Sequence, residues 1–257
     1  MTHGRHFRFA YLGSGSRGNA ALIRIGNTCI MLDCGFSTKE TVNRLELLGT
    51  APEEITGVLV THEHSDHISG VARFARRYDL PVWMTPGTLA AMRDTEVPDL
   101  IAVNCHEAFA IGAIHVEPLP VPHDAREPCQ YVFSNGARRL GILTDTGHVT
   151  PHIRRRLDGV NALVIECNHD IDMLADGPYP QPLKDRIGGR LGHLSNEQAG
   201  DLVASMDRAG LRHVVAVHLS ETNNTADSAR ASLGGAGIVA DQLQVAEQHQ
   251  VLDWIDV

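Results

Sequence analysis

Six consecutive residues, His62-Glu63-His64-Ser65-Asp66-His67, bring four candidate metal ligands, His62, His64, Asp66 and His67, close behind the apolar run Val58-Leu59-Val60. At a strand end, His62 and His64 are two apart and project to one side, whereas the turn that follows can aim Asp66 and His67 elsewhere. One segment can therefore serve two adjacent ions. Neutral imidazole and carboxylate suit zinc, or manganese and iron in mixed sites, while magnesium and calcium ask for mostly oxygen ligands.

Three further positions have the same character. His123 follows a strand ending near Leu119, Asp145 closes the apolar run ending at Leu143-Thr144, and His218 ends Val214 to Val217. Together with the dense motif they complete two coordination shells, with His62, His64 and His123 on one ion and Asp66, His67 and His218 on the other. Asp145 would bridge them. Each ion then keeps an open position, which a catalytic site requires and a closed structural site does not. Asp33, at the end of Met31-Leu32, is either the carboxylate that receives the second N–H of a liganding histidine or the cap of a turn.

The elements that must present these groups are short. Strands are expected at 7–12, 20–25, 29–33, 58–61, 82–85, 114–119, 131–134, 140–144 and 214–217, with hairpin signals at Gly26-Asn27 and Asn135-Gly136. Helices are expected at 37–48, with a Ser37/Glu40 capping box and Gly49 as stop, at 195–209, with Ser195/Gln198 as box and Gly210 as stop, and at 225–233. A closing strand or hairpin spans 243–257. Front hairpins and alternating strands and helices behind imply an α/β architecture, a four-layer αββα sandwich of two mixed sheets with helices outside.

The 257 residues are read as one domain, 1–257, with 43% apolar and 21% charged content. No apolar run approaches the ~20 residues needed to span a bilayer, so no membrane partner is expected. The start, Met1 to Leu12, alternates polar and apolar residues and lacks a signal peptide's apolar core, which predicts a cytoplasmic location. Five scattered cysteines without a Cys-x-x-Cys pair argue against a disulfide framework. A formal charge of −9 excludes a broad basic face for gripping duplex DNA. Two divalent cations would still make a local electropositive cleft able to hold a phosphate.

Asp33, the His-x-His-x-Asp-His motif, His123, Asp145 and His218 occur in the order and approximate spacing of the five motifs of the metallo-β-lactamase fold, which the chain resembles over residues 7 to about 220. The resemblance implies an αββα sandwich with a two-metal hydrolytic centre. An aspartate at 145 is similar to hydroxyacylglutathione hydrolases and phosphodiesterases of that superfamily, and unlike true β-lactamases. Gly13 to Ala20, Cys167-Asn168-His169-Asp170, Gly192 to Asn196 and His218 to Asn224 look like the YycJ (WalJ) group, described as metal-dependent exonucleases or phosphodiesterases acting on DNA. Glu166 and His193 to Ser195 match a carboxylate and His-x-Ser/Thr pair that assists phosphoryl chemistry in related enzymes. The tRNA-gripping arm and the extra domain of the RNA-cleaving branch have no counterpart here.

The expected activity is that of a dinuclear metal-dependent phosphodiester hydrolase, a 5′-to-3′ DNA exonuclease that attacks with a metal-bridging hydroxide. Zinc is the first expectation for the two ions, manganese or iron the second. Asp66 and Asp145 temper the cations' charge, and His193 donates a proton to the leaving oxygen, with Glu166 orienting it. His193 read blandly is a helix-terminal residue that only binds water or phosphate. Ser14, Ser16 and Asn19 belong either to an anion-cradling loop or to a flexible turn, and Ser195 is the fourth candidate phosphate contact. Substrates are nucleic acid, DNA ahead of RNA, or a small phosphodiester. The alternatives are a thioester hydrolase of the hydroxyacylglutathione type and a small-molecule or cyclic phosphodiesterase.

Overall fold

The computed structural model describes residues 6–257, so the first five residues of the alternating start lie outside it. Among the described residues there are fourteen strands: β1 (Phe7–Gly13), β2 (Ala20–Ile25), β3 (Thr28–Leu32), β4 (Gly57–Leu59), β5 (Pro81–Met84), β6 (Asp99–Ala102), β7 (Phe109–Ile111), β8 (Ile114–Pro120), β9 (Cys129–Ser134), β10 (Arg139–Leu143), β11 (Ala162–Glu166), β12 (His213–Val217), β13 (Leu243–Val245) and β14 (Leu252–Asp256). Between them lie α1 (Thr38–Leu47), α2 (Ser65–Ile68), α3 (Val71–Tyr78), α4 (Pro86–Ala91), α5 (Pro151–Leu157), α6 (Ile171–Asp176), α7 (Gln181–Ile187), α8 (Asn196–Ser205) and α9 (Ala226–Gly235).

The strands form two seven-stranded sheets, ordered β14-β1-β2-β3-β4-β5-β6 and β13-β12-β11-β10-β9-β8-β7. Each is built the same way, with four strands paired antiparallel (β14 to β3, and β7 to β10) and the rest continuing in parallel. The pairing switches at β3 in one sheet and at β10 in the other. Asp33 follows β3 directly and Asp145 follows β10 after one residue, so each sheet places a carboxylate where its topology reverses.

Period-two alternation sorts the side chains into layers. Ile23, Ile30 and Leu59 of the first sheet meet Phe133, Ile142, Val164 and Val215 of the second in an inner core. Their neighbours Leu22, Met31 and Val58 turn outward onto Leu45 of α1 and Phe74 of α3. On the far side, Leu163, Ile165 and Val214 pack on Leu157 of α5, Val203 of α8 and Leu233 of α9. Three apolar seams separating four layers make the αββα sandwich. Among the described residues, no helix is long and apolar enough to cross a membrane.

Side-chain caps set the helix starts: Ser37, Thr85, Thr150, Ser195 and Thr225 each accept a backbone N–H of the first turn, as does Asp170. Several expectations need correction. The Ser37 box is half formed, because Glu40 turns to the Arg44 guanidinium at 2.6 Å instead of the cap N–H. The 195–209 helix stops at Ser205, where Met206 turns extended and buries its side chain, so Gly210 is not its stop. The 243–257 segment is no hairpin, since β13 joins β12 in one sheet and β14 joins β1 in the other. β11, the central parallel strand of the second sheet, lies outside the expected strands, as do β6 and β7.

Candidate metal centre

The polar residues gather at the carboxyl ends of β3, β4, β10, β11 and β12 and in the loop after β8. Among the described residues, four non-glycines adopt left-handed backbone, and three of them are Asp33 (φ 59°), Asp145 (φ 53°) and His218 (φ 57°). An extended strand cannot turn a side chain back across its own end. The left-handed residue makes that turn, and its local backbone cost is a common mark of a functional site. His62 instead follows β4 without a left-handed turn, while His64 stands at the N-cap of α2 and Asp66 and His67 lie within that single-turn helix. A Cβ on Gly35 would fall 1.8 Å from the Asp66 carbonyl oxygen, so only glycine lets α2 approach this closely.

The structure brings together all seven residues read as ligands. His62, His64 and His123 form one convergent group, Asp66, His67 and His218 a second, and Asp145 joins His62 and His67 between them. Nε2 of His123 lies 3.2 Å from Nδ1 of His64. Nε2 of His67 is 3.3 Å from both Asp66 Oδ2 and Asp145 Oδ2, and Nε2 of His218 is 3.3 Å from Asp66 Oδ2.

The opposite ring nitrogens are held from outside. Nδ1 of His67 pairs with Asp33 Oδ2 at 2.8 Å, and the same carboxylate accepts the Thr61 N–H and hydroxyl at 2.8 Å each. Asp33 thus stands as a histidine partner that also ties down the segment before His62, and it caps neither a helix nor a turn. Nδ1 of His123 donates to the Gly192 carbonyl at 3.0 Å. A Cβ on Gly192 would lie 2.1 Å from the Ile187 carbonyl oxygen, which fixes glycine there too. Asp124, which sequence reasoning gave no task, stands 3.7 Å from His64 Nε2 and is anchored by Arg186 at 2.6 Å.

Glu166 is fully buried and holds two imidazoles at once. Its Oε1 accepts from His193 Nδ1 at 2.8 Å and from His218 Nδ1 at 2.9 Å, while Oε2 accepts the Leu194 and Thr146 N–H groups. The second imidazole, His218, is a partner that no sequence signal indicated. His193 is part-exposed, its ring 5.2 Å from those of His123 and His218.

The electrostatics favour a cation. Burial alone would push the Asp145 carboxyl up, but His218 and His67 outweigh it and hold it well below the ordinary carboxylate range. Asp66 is likewise depressed, and Glu166 falls to about 2 against its burial, through His193 and His218. Burial keeps His62 and His123 neutral, the form that ligates metal. Buried His62 Nε2 has no hydrogen-bond partner among the described residues, although an unmet buried polar atom is costly. A divalent cation satisfies that nitrogen and the surrounding carboxylates together, so the donor set fits a metal of the zinc, manganese or iron class.

The expected phosphate contacts need correction. Ser14 and Asn19 are buried and bonded to each other, with Ser14 Oγ accepting the His218 N–H and the Asn19 amide reaching Asp66 Oδ2 at 3.1 Å. Most N–H groups of the loop close inward, on Glu247, Asn19, Gln248, Gly15 and Asp66. The loop is a brace for the second histidine–aspartate group, not an open cradle. Ser195 is buried and occupied as the α8 cap. Ser16 is the one of the four left exposed.

Comparison with known proteins places the chain in a family. Residues 28–219 match the family model of the β-lactamase superfamily domain. The chain is 38% identical over 231 residues to exodeoxyribonuclease YycJ of Bacillus anthracis, covering 88% of this chain and 87% of the relative. It is 31% identical over 253 residues to exodeoxyribonuclease WalJ of Streptococcus pneumoniae serotype 2, covering 96% and 94%. The crystal structure of the metallo-β-lactamase-fold protein YhfI from Bacillus subtilis superposes with a TM-score of 0.75 at 17% identity, covering 96% of this chain and 99% of that one. The chain therefore belongs to the β-lactamase superfamily, as a hydrolase of the metallo-β-lactamase fold in the YycJ/WalJ group.

Proposed function

We propose that the protein is a dinuclear metal-dependent phosphodiesterase that removes nucleotides from DNA in the 5′-to-3′ direction. His62, His64 and His123 would hold one ion, Asp66, His67 and His218 the other, and Asp145 both. The observation that carries this reading is the convergence of two ligand groups on Asp145, with the His193–Glu166 pair standing over the gap. The relatives named exodeoxyribonuclease support DNA as the substrate.

When bound, two divalent ions supply Lewis acidity, ionising a water near neutral pH and neutralising a phosphate oxygen. The chain's own residues do the rest. Asp33 and the Gly192 carbonyl fix the His67 and His123 rings so that each points its Nε2 inward. Glu166 accepts the Nδ1–H of His193 as a hydrogen bond, so that a His193 imidazolium aims its Nε2–H at the departing alkoxide and becomes neutral when it gives up that proton. A thiolate leaves without such help, because its conjugate acid has a pKa of about 8.5. A proton donor at His193 would have no task in thioester hydrolysis, which favours the phosphodiester.

The test combines metal content with turnover of end-labelled single- and double-stranded oligonucleotides, for wild type and Asp145→Ala. Two ions per active wild-type chain, ordered loss of nucleotides from the 5′ end, and an Asp145→Ala variant lacking one ion and all turnover are expected. Full activity with a single ion would overturn the dinuclear reading, and inert oligonucleotides the nuclease reading.

A further inference from the structure

A hollow of about 590 Å3 lies on the α6–α8 side of the centre, lined by His169, Ile171, Leu174, Lys184, Ser195 and Gln198 among others. Two of its lining residues, His169 and Ser195, follow closely in sequence on the proposed donor pair. His169 is three residues beyond Glu166, pairs as an isolated β-bridge with Ser195, and accepts the Asn196 N–H at 2.9 Å. Ser195 is itself two residues beyond His193, so a ligand group in the hollow would adjoin the leaving-group side of the scissile bond.

The walls define the ligand's chemistry. His169 is 3% exposed, yet neither ring nitrogen has a hydrogen-bond partner among the described residues, and Nδ1 is fully enclosed. Burial lowers the affinity of its ring for a proton, so the ring stays uncharged and its Nε2 is the atom left to meet a ligand. Buried polar groups of this kind normally have partners, and one without is an invitation to a ligand or a water. Gln198 spends its Oε1 on the Ser195 N–H, which leaves its NH2 group free to donate. The same lining carries Ile171, half exposed, and Leu174 as apolar surface.

Anions are disfavoured here. Lys184, the cation on the wall, turns its ammonium to the Ala175 carbonyl at 2.5 Å, and Asp185 adds negative charge to the lining. An apolar patch in the same lining as two uncharged polar groups, the His169 Nε2 and the Gln198 NH2 group, suits a heterocycle, and the volume falls within the ~300–1,000 Å3 usual for small-molecule sites. Enzymes that handle single nucleotides read bases this way, by packing one face on apolar side chains and bonding the edge.

We propose that this hollow holds a nucleobase of the substrate strand, stacked on Ile171 and Leu174 with its polar edge against His169 and Gln198. The assignment rests on the phosphodiesterase reading for the identity of the strand, but its test does not require turnover. The metal-loaded full chain is titrated with each of the four deoxynucleosides, which carry no phosphate, by calorimetry and by the 15N resonances of the His169 ring. Saturable binding of at least one, with a shift of that ring, is expected. His169→Ala and Ala175→Trp, the latter filling the hollow from α6, should each weaken binding at least tenfold. No saturable binding to wild type overturns the proposal, and so does unchanged binding by a folded Ala175→Trp protein. Nucleoside binding that persists in a protein inert toward phosphodiesters supports the pocket and counts against the reading of the centre alone.

Discussion

His193 and His218 share a single acceptor: both Nδ1 atoms lie within 2.9 Å of Glu166 Oε1, although one ring belongs to the α7–α8 loop and the other to the end of β12. The other oxygen of Glu166 accepts two backbone N–H groups, so the site needs an acceptor at both positions. An amide has only one. Glu166→Gln must therefore set its NH2 group against other donors whichever way it turns, at about 1–3 kcal/mol for each group left unsatisfied. A lowered melting temperature and a 10–100-fold loss of turnover are expected, the latter being usual for removing the partner of a liganding histidine. Wild-type melting and rates together would show that the shared oxygen is dispensable.

His193→Ala removes the proton donor and leaves every proposed ligand in place. Both ions should remain bound, and oligonucleotide hydrolysis should slow by roughly 10²-fold or more. Bis(p-nitrophenyl) phosphate loses a stabilised phenolate that needs little protonation, so its hydrolysis should fall much less. The informative quantity is the ratio of the two rate losses. Equal losses on both substrates would place His193 in binding or folding instead of acid catalysis.

Much of this centre is legible in the chain because strand ends are. An apolar run closed by His or Asp marks His62, Asp145 and His218, and dense spacing adds His64, Asp66 and His67. What the chain hides is tertiary. The run Ala162-Leu163-Val164-Ile165 is too short for periodicity to separate a buried strand from a helix, so β11 and the placement of Glu166 at its end are not visible from pattern. Ser14 and Asn19 read as an anion loop by composition, but their partners are His218 and Asp66, 204 and 47 residues away. Nor does any repeat in the sequence announce two sheets with matching pairing, since strand order depends on connections and not on local residue type.

The charge balance of the second group makes stability without metal depend on pH. His67 is held above its ordinary range by Asp145, Asp66 and Asp33 in spite of burial, and His218 rises to about 10, against burial, mainly through Asp145, Asp66 and Glu166. A raised histidine contributes stability that is complete below the unfolded value near 6.5 and is lost as pH climbs through the folded value. The depressed carboxylates act oppositely, and Glu166 contributes above about 4.5 and loses that contribution as pH falls toward about 2. Chelator-treated protein should thus melt at progressively lower temperature from pH 6.5 to about 10. Binding metal must displace these protons, so calorimetric loading at pH 7.5 in buffers of different ionisation enthalpy should register proton release. Loading without proton uptake by the buffer would contradict protonated His67 and His218.

Asn19 offers a way to separate the two halves of the centre. Its amide N–H group reaches Asp66 Oδ2 at 3.1 Å, and its oxygen accepts from Ser14 Oγ at 3.0 Å. That same Oγ accepts the His218 N–H at 2.9 Å. Both supported residues belong to the second proposed ion, and the His62, His64 and His123 group makes no hydrogen bond to Asn19 among the described residues. Truncation to alanine should therefore weaken one ion by about 10–100-fold, the usual cost of removing support behind a ligand, and spare the other. Stepwise metal titration of Asn19→Ala, with the two binding events resolved by calorimetry, reads this directly. A uniform loss at both events would mean that the loop supports the whole fold, and two unchanged affinities would mean that Asp66 and His218 hold their positions without it.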